Sequence, residues 1–407
     1  MNVAYITSLY PSLSHSFILR EVRGLRGQGV DVTSFSVRRT PPEQLIAPED
    51  REEADATIVL LPPDPRRFAA SVGRAALTAR GRFFRAALGA VRRGLSLGPR
   101  AALWQAFYVG EAVLVWDECR RRDIRHVHAH FANVGADVAQ LVAAIGGPGW
   151  SWSFTMHGPT EFFDVPGHRL ADKTRDARFV SCISDFCRSQ LMKLVEREHW
   201  DKLHLVRCGV DPAVYAPAPA RPEDGSLRVV CVGRLVPDKG QSLLVDAVAL
   251  LRERGIDARL ELVGDGPDRA HLERHVAELG LGGAVHLAGA VGQDTMRDHY
   301  AAADVFCLPS FAEGVPVVLM EAMAMGLPVV TTRIAGIGEL VEDGVSGVLL
   351  RPGRADLIAD ALAGLSDSAV RARMGAAGRE TVMREFDVAI SAERLAGILR
   401  GAVGTPA

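Results

Sequence analysis

The sequence predicts a parallel α/β protein made of two doubly wound halves. Three observations predict it. Short apolar runs alternate with amphipathic helical patterns along most of the chain, the signature of a parallel sheet covered by helices. That rhythm breaks at APAPARPEDGS (216–226), rich in Pro, Ala and charge, and then restarts. A length of 407 residues, 48% of them hydrophobic, suffices for two or three ordinary cores. The expected division is near residue 212, giving domains 1–211 and 212–385.

In the first half, VAYITSL (3–9) reads as a strand, SFILREVRGLRGQG (16–29) as a helix and DVTSFSV (31–37) as a strand. IRHVHAHF (124–131), WSFTMHG (152–158), RFVSCIS (178–184) and KLHLVRCGVD (202–211) supply further strands, with helices at 136–146 and from Asp185. In the second half, strands are expected in LRVVCVGRL (227–235), ARLELVGDGP (258–267), AVHLAGAV (284–291), VFCLPS (305–310) and LPVVTT (327–332). Helices fill the spaces between them.

Residues 63–100 stand apart. Nine arginines face one acid, Asp64, and apolar residues recur at helical intervals. This predicts a basic amphipathic hairpin, either a solvated insertion or an element that adsorbs to an anionic membrane.

A formal net charge of −2 gives no general nucleic-acid character. Six scattered cysteines without a C-x-x-C read as buried thiols. MNVAYITSLYP lacks a basic leader, and the nearest long apolar run, 101–116, is broken by Glu111. A cytoplasmic protein is expected.

The chemistry concentrates in the second half. Strand VVCVGR opens onto RLVPDKG, so Gly233, Arg234 and Lys239 lie at a strand end, where open α/β sheets bind ligands. Two cations and a close-approach glycine suit a diphosphate, and two solvated loop cations are the plain alternative. Gly264 and Gly266 in LVGDGPD would admit a nucleotide base, or form an ordinary tight turn. EGVPVVLMEAMAMG (313–326) reads as a loop and a helix starting at Pro316 and stopping at Gly326. Glu313 would stand at the helix mouth and Glu321 within an apolar face. A ligand along the helix could meet both, a sugar at Glu313 and a ribose at Glu321. His126, His128 and His130 share one strand face. A zinc site on that face lacks a carboxylate or Cys at a convincing spacing, and no metal is expected.

Arg234 with Lys239, GDGP, and E-x7-E within EGVPVVLMEAMAMGLPVV together resemble retaining glycosyltransferases of the GT-B fold, family 4, over most of 227–350. YPSLSHSFILREVRGLRGQG, HVHAHFAN and FTMHGPTEFF are similar to the exopolysaccharide-type members, such as those of colanic acid synthesis. The resemblance implies two Rossmann-like domains facing across a cleft, with a helix at 386–403 crossing back to the first. It implies donor binding by Gly233, Arg234, Lys239, Gly264, Gly314, Val315, Val318 and Glu321. His157 and Glu313 become the catalytic residues, and Ser14, Ser16 and Glu161 the acceptor side. The loop SLYPSLSHSF carries His15 and lacks the Gly-Gly pair of many relatives. The implied reaction is retaining transfer of a sugar from a UDP- or GDP-type nucleotide sugar to a hydroxyl of a lipid-linked or polysaccharide-precursor glycan. It needs no metal, in keeping with the lack of D-x-D. A nucleotide-sugar epimerase and a non-catalytic nucleotide-sugar-binding subunit are the rival readings.

Overall fold

The apolar runs become two parallel sheets. The first contains β1 (Asn2–Leu9), β2 (Asp31–Arg38), β3 (Ile58–Leu61), β4 (His126–His130), β5 (Ser151–Met156), β6 (Val180–Cys182) and β7 (Leu203–Leu205). Their order is β3-β2-β1-β4-β5-β6-β7, every neighbouring pair parallel. The second contains β8 (Leu227–Val232), β9 (Ala258–Val263), β10 (Val285–Gly289), β11 (Val305–Leu308), β12 (Val329–Thr332) and β13 (Gly347–Leu350). Its order is β10-β9-β8-β11-β12-β13, again all parallel. Each sheet reverses its winding once, between β1 and β4 and between β8 and β11, and a reversal of this kind opens a crevice at the strands' carboxyl ends.

This computed structural model describes residues 1–407 except 97, 159, 219–223 and 405–407. For residues 14 and 404 the backbone alone is described. The middle of the expected linker, 219–223, therefore lies outside the described residues, as does the Ser14 side chain. Two compact units emerge, Met1–Val206 with Ala392–Ala407, and Arg207–Ser391. The division falls five residues before the expected one because Val210 pairs with Asp387 in a parallel bridge, which draws 207–211 into the second unit.

Strands covered on both faces read as continuous apolar runs, and β11 and β12 are buried throughout. Two short strands were not expected. β3 arises from TIVLL and β13 from GVLL, runs too short to separate from loop by pattern alone. On one face of the first sheet, Ile18, Leu19, Val22 and Leu25 of the helix Ser16–Gly27 share a core with Val3, Tyr5 and Val32. Leu395, Ala396 and Leu399 of the final helix, Val388–Gly404, join the same core. The other face carries the helix Val134–Gly146 against β1, β4 and β5.

The basic segment folds as two helices, Pro65–Thr78 and Arg80–Leu95, packed on a third, Pro99–Arg121. Asp64 caps the first, accepting from the Arg67 amide at 2.8 Å. Several arginines serve the packing. Arg74 grips the buried Asp117 through two nitrogens, at 2.8 and 2.6 Å, and Arg67 reaches Glu118 at 2.7 Å. Gly94 is needed where its helix crosses the third, since a Cβ there would lie 2.4 Å from the Ala102 Cα. All six cysteines are free, five of them buried. Among the described residues no helix is long and apolar enough to cross a membrane.

Candidate functional site

In the second unit the loops after β8 and β9 are laced together. The Gly233 amide donates to Val263 O, the Leu235 amide to Asp265 O and the Asp268 amide to Leu235 O. The glycines in GDGP answer to this lacing. A Cβ on Gly264 would sit 2.1 Å from Gly233 O, and one on Gly266 2.3 Å from Leu235 O. The neighbouring loop therefore already requires glycine at both positions.

That lacing fixes the chain carrying the two cations. Arg234 is exposed, and its guanidinium has no hydrogen-bond or ion-pair partner among the described residues. Its carbonyl is held by Gln241 Nε2 at 3.0 Å. Lys239 follows on a short 3-10 turn and donates through Nζ to Glu313 Oε1 at 2.5 Å. Ser310 Oγ donates to the same oxygen at 2.8 Å. Lys239 and Glu313 thus meet across the β8/β11 reversal, 74 residues apart in sequence.

Beyond Glu313 the helix runs Val317–Ala324, with Pro316 as its N-cap. The expectation put Pro316 inside the helix, but its ψ of 125° is extended. The far end is a Schellman motif. Gly326 has φ +78°, its amide donates to Met323 O, and the Leu327 amide donates to Ala322 O. At the near end, the Gly314 and Val315 amides donate to no described residue. They join Arg234 as open donors at the carboxyl ends of β8 and β11, a setting that suits an anion. Val318 is half-buried on the first turn.

Glu321 lies deeper, 1% exposed, and accepts from the Tyr300 hydroxyl at 2.7 Å. Sequence reasoning missed Tyr300, which comes from the helix Gln293–Ala301. A cavity of about 380 Å³ lined by Arg228, Arg259, Glu261 and His299 opens at the opposite, amino-terminal edge of the sheet, away from all these groups. Burial pushes the Cys231 thiol up to about 12 and the Cys307 thiol well above its usual range, so both stay protonated and inert.

In the first unit His157 follows β5 directly. Its ring packs on both Phe17 and Phe131, with centroids 4.6 and 4.7 Å away, and its Nε2 is 2.8 Å from His130 Nδ1. Burial, then the neighbouring His130 and His15, hold His157 well below the ordinary imidazole range. The histidine row of β4 meets hydroxyls on β5. His126 contacts Ser151 and Ser153, and His128 contacts Ser153 and Thr155, all at 2.7 to 2.9 Å. Parallel register makes these pairs, His126 opposite Ser151 and His128 opposite Ser153. Sequence spacing showed no carboxylate near this row, yet the fold brings Glu21 to it. Glu21, His128 and His130 offer atoms within 4.8 Å of one another. Both His128 nitrogens are already engaged by hydroxyls, so the row is a hydrogen-bonded core feature.

A cavity of about 320 Å³ gathers Thr7, Ser8, His15, Asn133, Glu161 and His168. Glu161, 3% exposed, accepts from the Ala132 amide at 3.3 Å and from Thr160 Oγ1 at 3.0 Å. Burial brings His15 down to about 4. Of the acceptor-side residues expected, Glu161 lines this cavity. Ser16 instead opens the helix Ser16–Gly27 and does not line it.

The family model described as Glycosyl transferases group 1 matches residues 226–368. The chain is 36% identical over 209 residues to the GDP-mannose-dependent alpha-(1-6)-phosphatidylinositol monomannoside mannosyltransferase of Mycobacterium tuberculosis, covering 47% of this chain and 54% of that one. It is 34% identical over 227 residues to the Escherichia coli K12 glycosyltransferase named for colanic acid biosynthesis, covering 54% and 55%. The chain thus spans about half the length of the curated relatives it matches. Among solved structures, the sucrose-phosphate synthase of Thermosynechococcus elongatus superposes with a TM-score of 0.76 at 20% identity, covering 99% of each chain. That likeness shows the fold, two parallel α/β domains of the GT-B class.

Proposed function

From the premise that residues 226–368 are a glycosyl transferases group 1 domain in a GT-B fold, we propose that the protein is a retaining glycosyltransferase. It moves a sugar from a nucleoside-diphosphate sugar to a hydroxyl of a lipid-linked or polysaccharide-precursor glycan. One observation carries the reading. The exposed, unpartnered Arg234, the Lys239–Glu313 pair and the open Gly314 and Val315 amides converge on the β8/β11 reversal.

Arg234 and Lys239 hold the diphosphate, and their charge stabilises it as it departs. Glu313, pinned by Lys239 and Ser310, accepts from hydroxyls of the sugar. Glu321 and Tyr300 form the ribose end. His157 is the first unit's catalytic group, and the cavity at Glu161 and His15 takes the acceptor. The leaving diphosphate itself assists deprotonation of the acceptor hydroxyl, so neither a nucleophilic carboxylate nor a metal ion is required. The relative that uses GDP-mannose makes that sugar the first donor to test.

We also assign the protein to the inner, cytoplasmic face of the membrane through its helical insertion. Leu77, Phe84, Leu88, Leu95, Leu103, Trp104 and Phe107 are all exposed there. Arg80, Arg85, Arg92 and Arg100 are exposed among them. Apolar groups with interspersed cations and an exposed Trp suit an anionic bilayer surface.

The test is a screen of GDP- and UDP-sugars with glycan acceptors, with the anomeric configuration of the product read by NMR. Retained configuration and acceptor-dependent turnover are expected. Inverted product, or conversion of the donor to an epimer without acceptor, overturns the reading.

A further inference from the structure

A lysine is buried behind the cavity of the first unit. Lys173, on the helix Leu170–Asp176, is 1% exposed, and lysines are seldom buried so fully unless paired. Its ammonium has three hydrogens and meets three acceptors. Nζ is 2.6 Å from Ala132 O, 3.1 Å from Asp137 Oδ2 and 3.5 Å from Asn133 O. Asp137, in the first turn of the helix Val134–Gly146, also accepts from Arg169 at 2.6 Å. An ion pair with Asp137 alone would not bring Lys173 to two carbonyls.

Those carbonyls belong to the loop between β4 and the helix Val134–Gly146. Phe131 opens it with φ +66°, a costly conformation for a residue with a side chain, and such strain gathers at functional sites. The Phe131 amide donates to Thr155 O at 3.0 Å. Ala132 is gripped from both sides, its amide donating to Glu161 Oε1 at 3.3 Å and its carbonyl accepting from Lys173. Asn133 then caps the helix, accepting from the Gly135 amide at 3.2 Å. Phe131 and Asn133 line the cavity of about 320 Å³, and Lys173 stands behind them. The geometry points to Lys173 as a positioning residue for acceptor binding. By fixing Ala132 it holds Phe131 and Asn133 as the wall against which a sugar ring docks. This rests on the reading of that cavity as the acceptor site. An aromatic ring beside an amide and the hydroxyl of Thr160 suits a pyranose, with C–H groups on its faces and hydroxyls at its edge.

Lys173→Met tests this on the full chain, since methionine fills similar space without a donor. Asp137→Asn is the control. It removes the charge of the ion pair, while Lys173 keeps Ala132 O. The probes are methyl α-glycosides of mannose, glucose and galactose, with binding read by saturation-transfer NMR in the absence of donor. Shifts of the His168 ring, which lines the cavity, place that binding in histidine-labelled protein. Wild type should bind at least one glycoside and shift His168. Lys173→Met should weaken the binding at least about tenfold, and Asp137→Asn should keep it within about twofold, although both should melt below wild type. Lys173→Gln, with a donor on a shorter arm, is a milder second variant and should also weaken binding by more than about twofold. GDP affinity in calorimetry should stay within about twofold in every variant. Wild-type glycoside binding in either Lys173 variant overturns the proposal, as does binding that falls in step with Tm in Asp137→Asn. So does a parallel fall in GDP affinity, or wild type that binds no glycoside or leaves His168 unshifted. These measurements need no turnover. Failure of the transferase reading would show instead as no transfer by wild type from any donor, a separate outcome.

Discussion

Tyr300 and Glu321 are both sealed from solvent and joined by a hydrogen bond of 2.7 Å. The carboxylate inside an apolar helix is therefore held by a partner from the protein itself. Tyr300→Phe keeps the ring and removes the donor. A hydrogen bond to a charged group is worth about 1.5–3 kcal/mol, so the second unit should lose about 2 kcal/mol in urea unfolding. Nucleotide affinity should fall by less than about tenfold, because Glu321 remains. An unchanged unfolding midpoint would show that the bond contributes nothing.

Arg234 and Lys239 should separate when each is replaced by alanine. The Arg234 side chain makes no hydrogen bond or ion pair with a described residue, so Arg234→Ala should leave stability within about 0.5 kcal/mol. Its loss should appear in binding alone, with affinity for GDP or UDP falling about tenfold in calorimetry. Lys239→Ala also strips the buried Glu313 of its counter-ion. It should cost both stability and roughly a hundredfold in transfer. Equal stability loss in the two variants would contradict the pairing.

The cluster at the carboxyl ends of β8 and β11 was legible in the sequence because its parts are local. Arg234 and Lys239 share one loop, and Glu313 and Glu321 share one loop and helix, so strand-end reasoning places them. The helix stop at Gly326 was readable for the same reason. What the sequence hid depends on contacts between distant segments. Tyr300 reaches Glu321 from another helix, Glu21 reaches His130 from the helix Ser16–Gly27, and Gly264 is glycine because of Gly233 O. Periodicity predicted the basic hairpin, but it could not tell the arginines that bind Asp117 and Glu118 from those left in solvent. Nor did it show that the exposed apolar face continues past residue 100 to Trp104 and Phe107.

The insertion should bind vesicles through those remaining groups. Arg85 and Arg92 are exposed and unpaired among the described residues. Each basic side chain near an anionic surface contributes about 1 kcal/mol, so Arg85→Gln with Arg92→Gln should weaken binding roughly tenfold or more. Trp104→Ser with Phe107→Ser should weaken it without altering its salt dependence. Flotation with phosphatidylglycerol-containing and purely zwitterionic vesicles is the measurement. Equal recovery on both would remove the membrane assignment.

Glu111 sets an expected pH dependence of stability. Burial raises its carboxyl from the ordinary range to about 7, against a smaller opposing pull from Arg38. One of its oxygens, Oε2, is buried without a hydrogen bond. A raised folded value means that the protonated form suits the fold. The contribution is therefore fully present below about 4.5, the unfolded value, and is lost as pH rises through 7. His126 acts in the other direction. Burial lowers it to about 3, so its contribution is present above about 6.5 and is lost as pH falls toward 3. Between 4.5 and 6.5 the two partly offset each other. Glu111→Gln isolates the first, since the amide is uncharged at every pH. It should be more stable than wild type by about 1–3 kcal/mol at pH 8, with the difference shrinking to nothing near pH 4.5. Urea unfolding of both proteins from pH 4.5 to 8 measures it, and a difference that stays constant across that range would mean that Glu111 does not titrate in the fold.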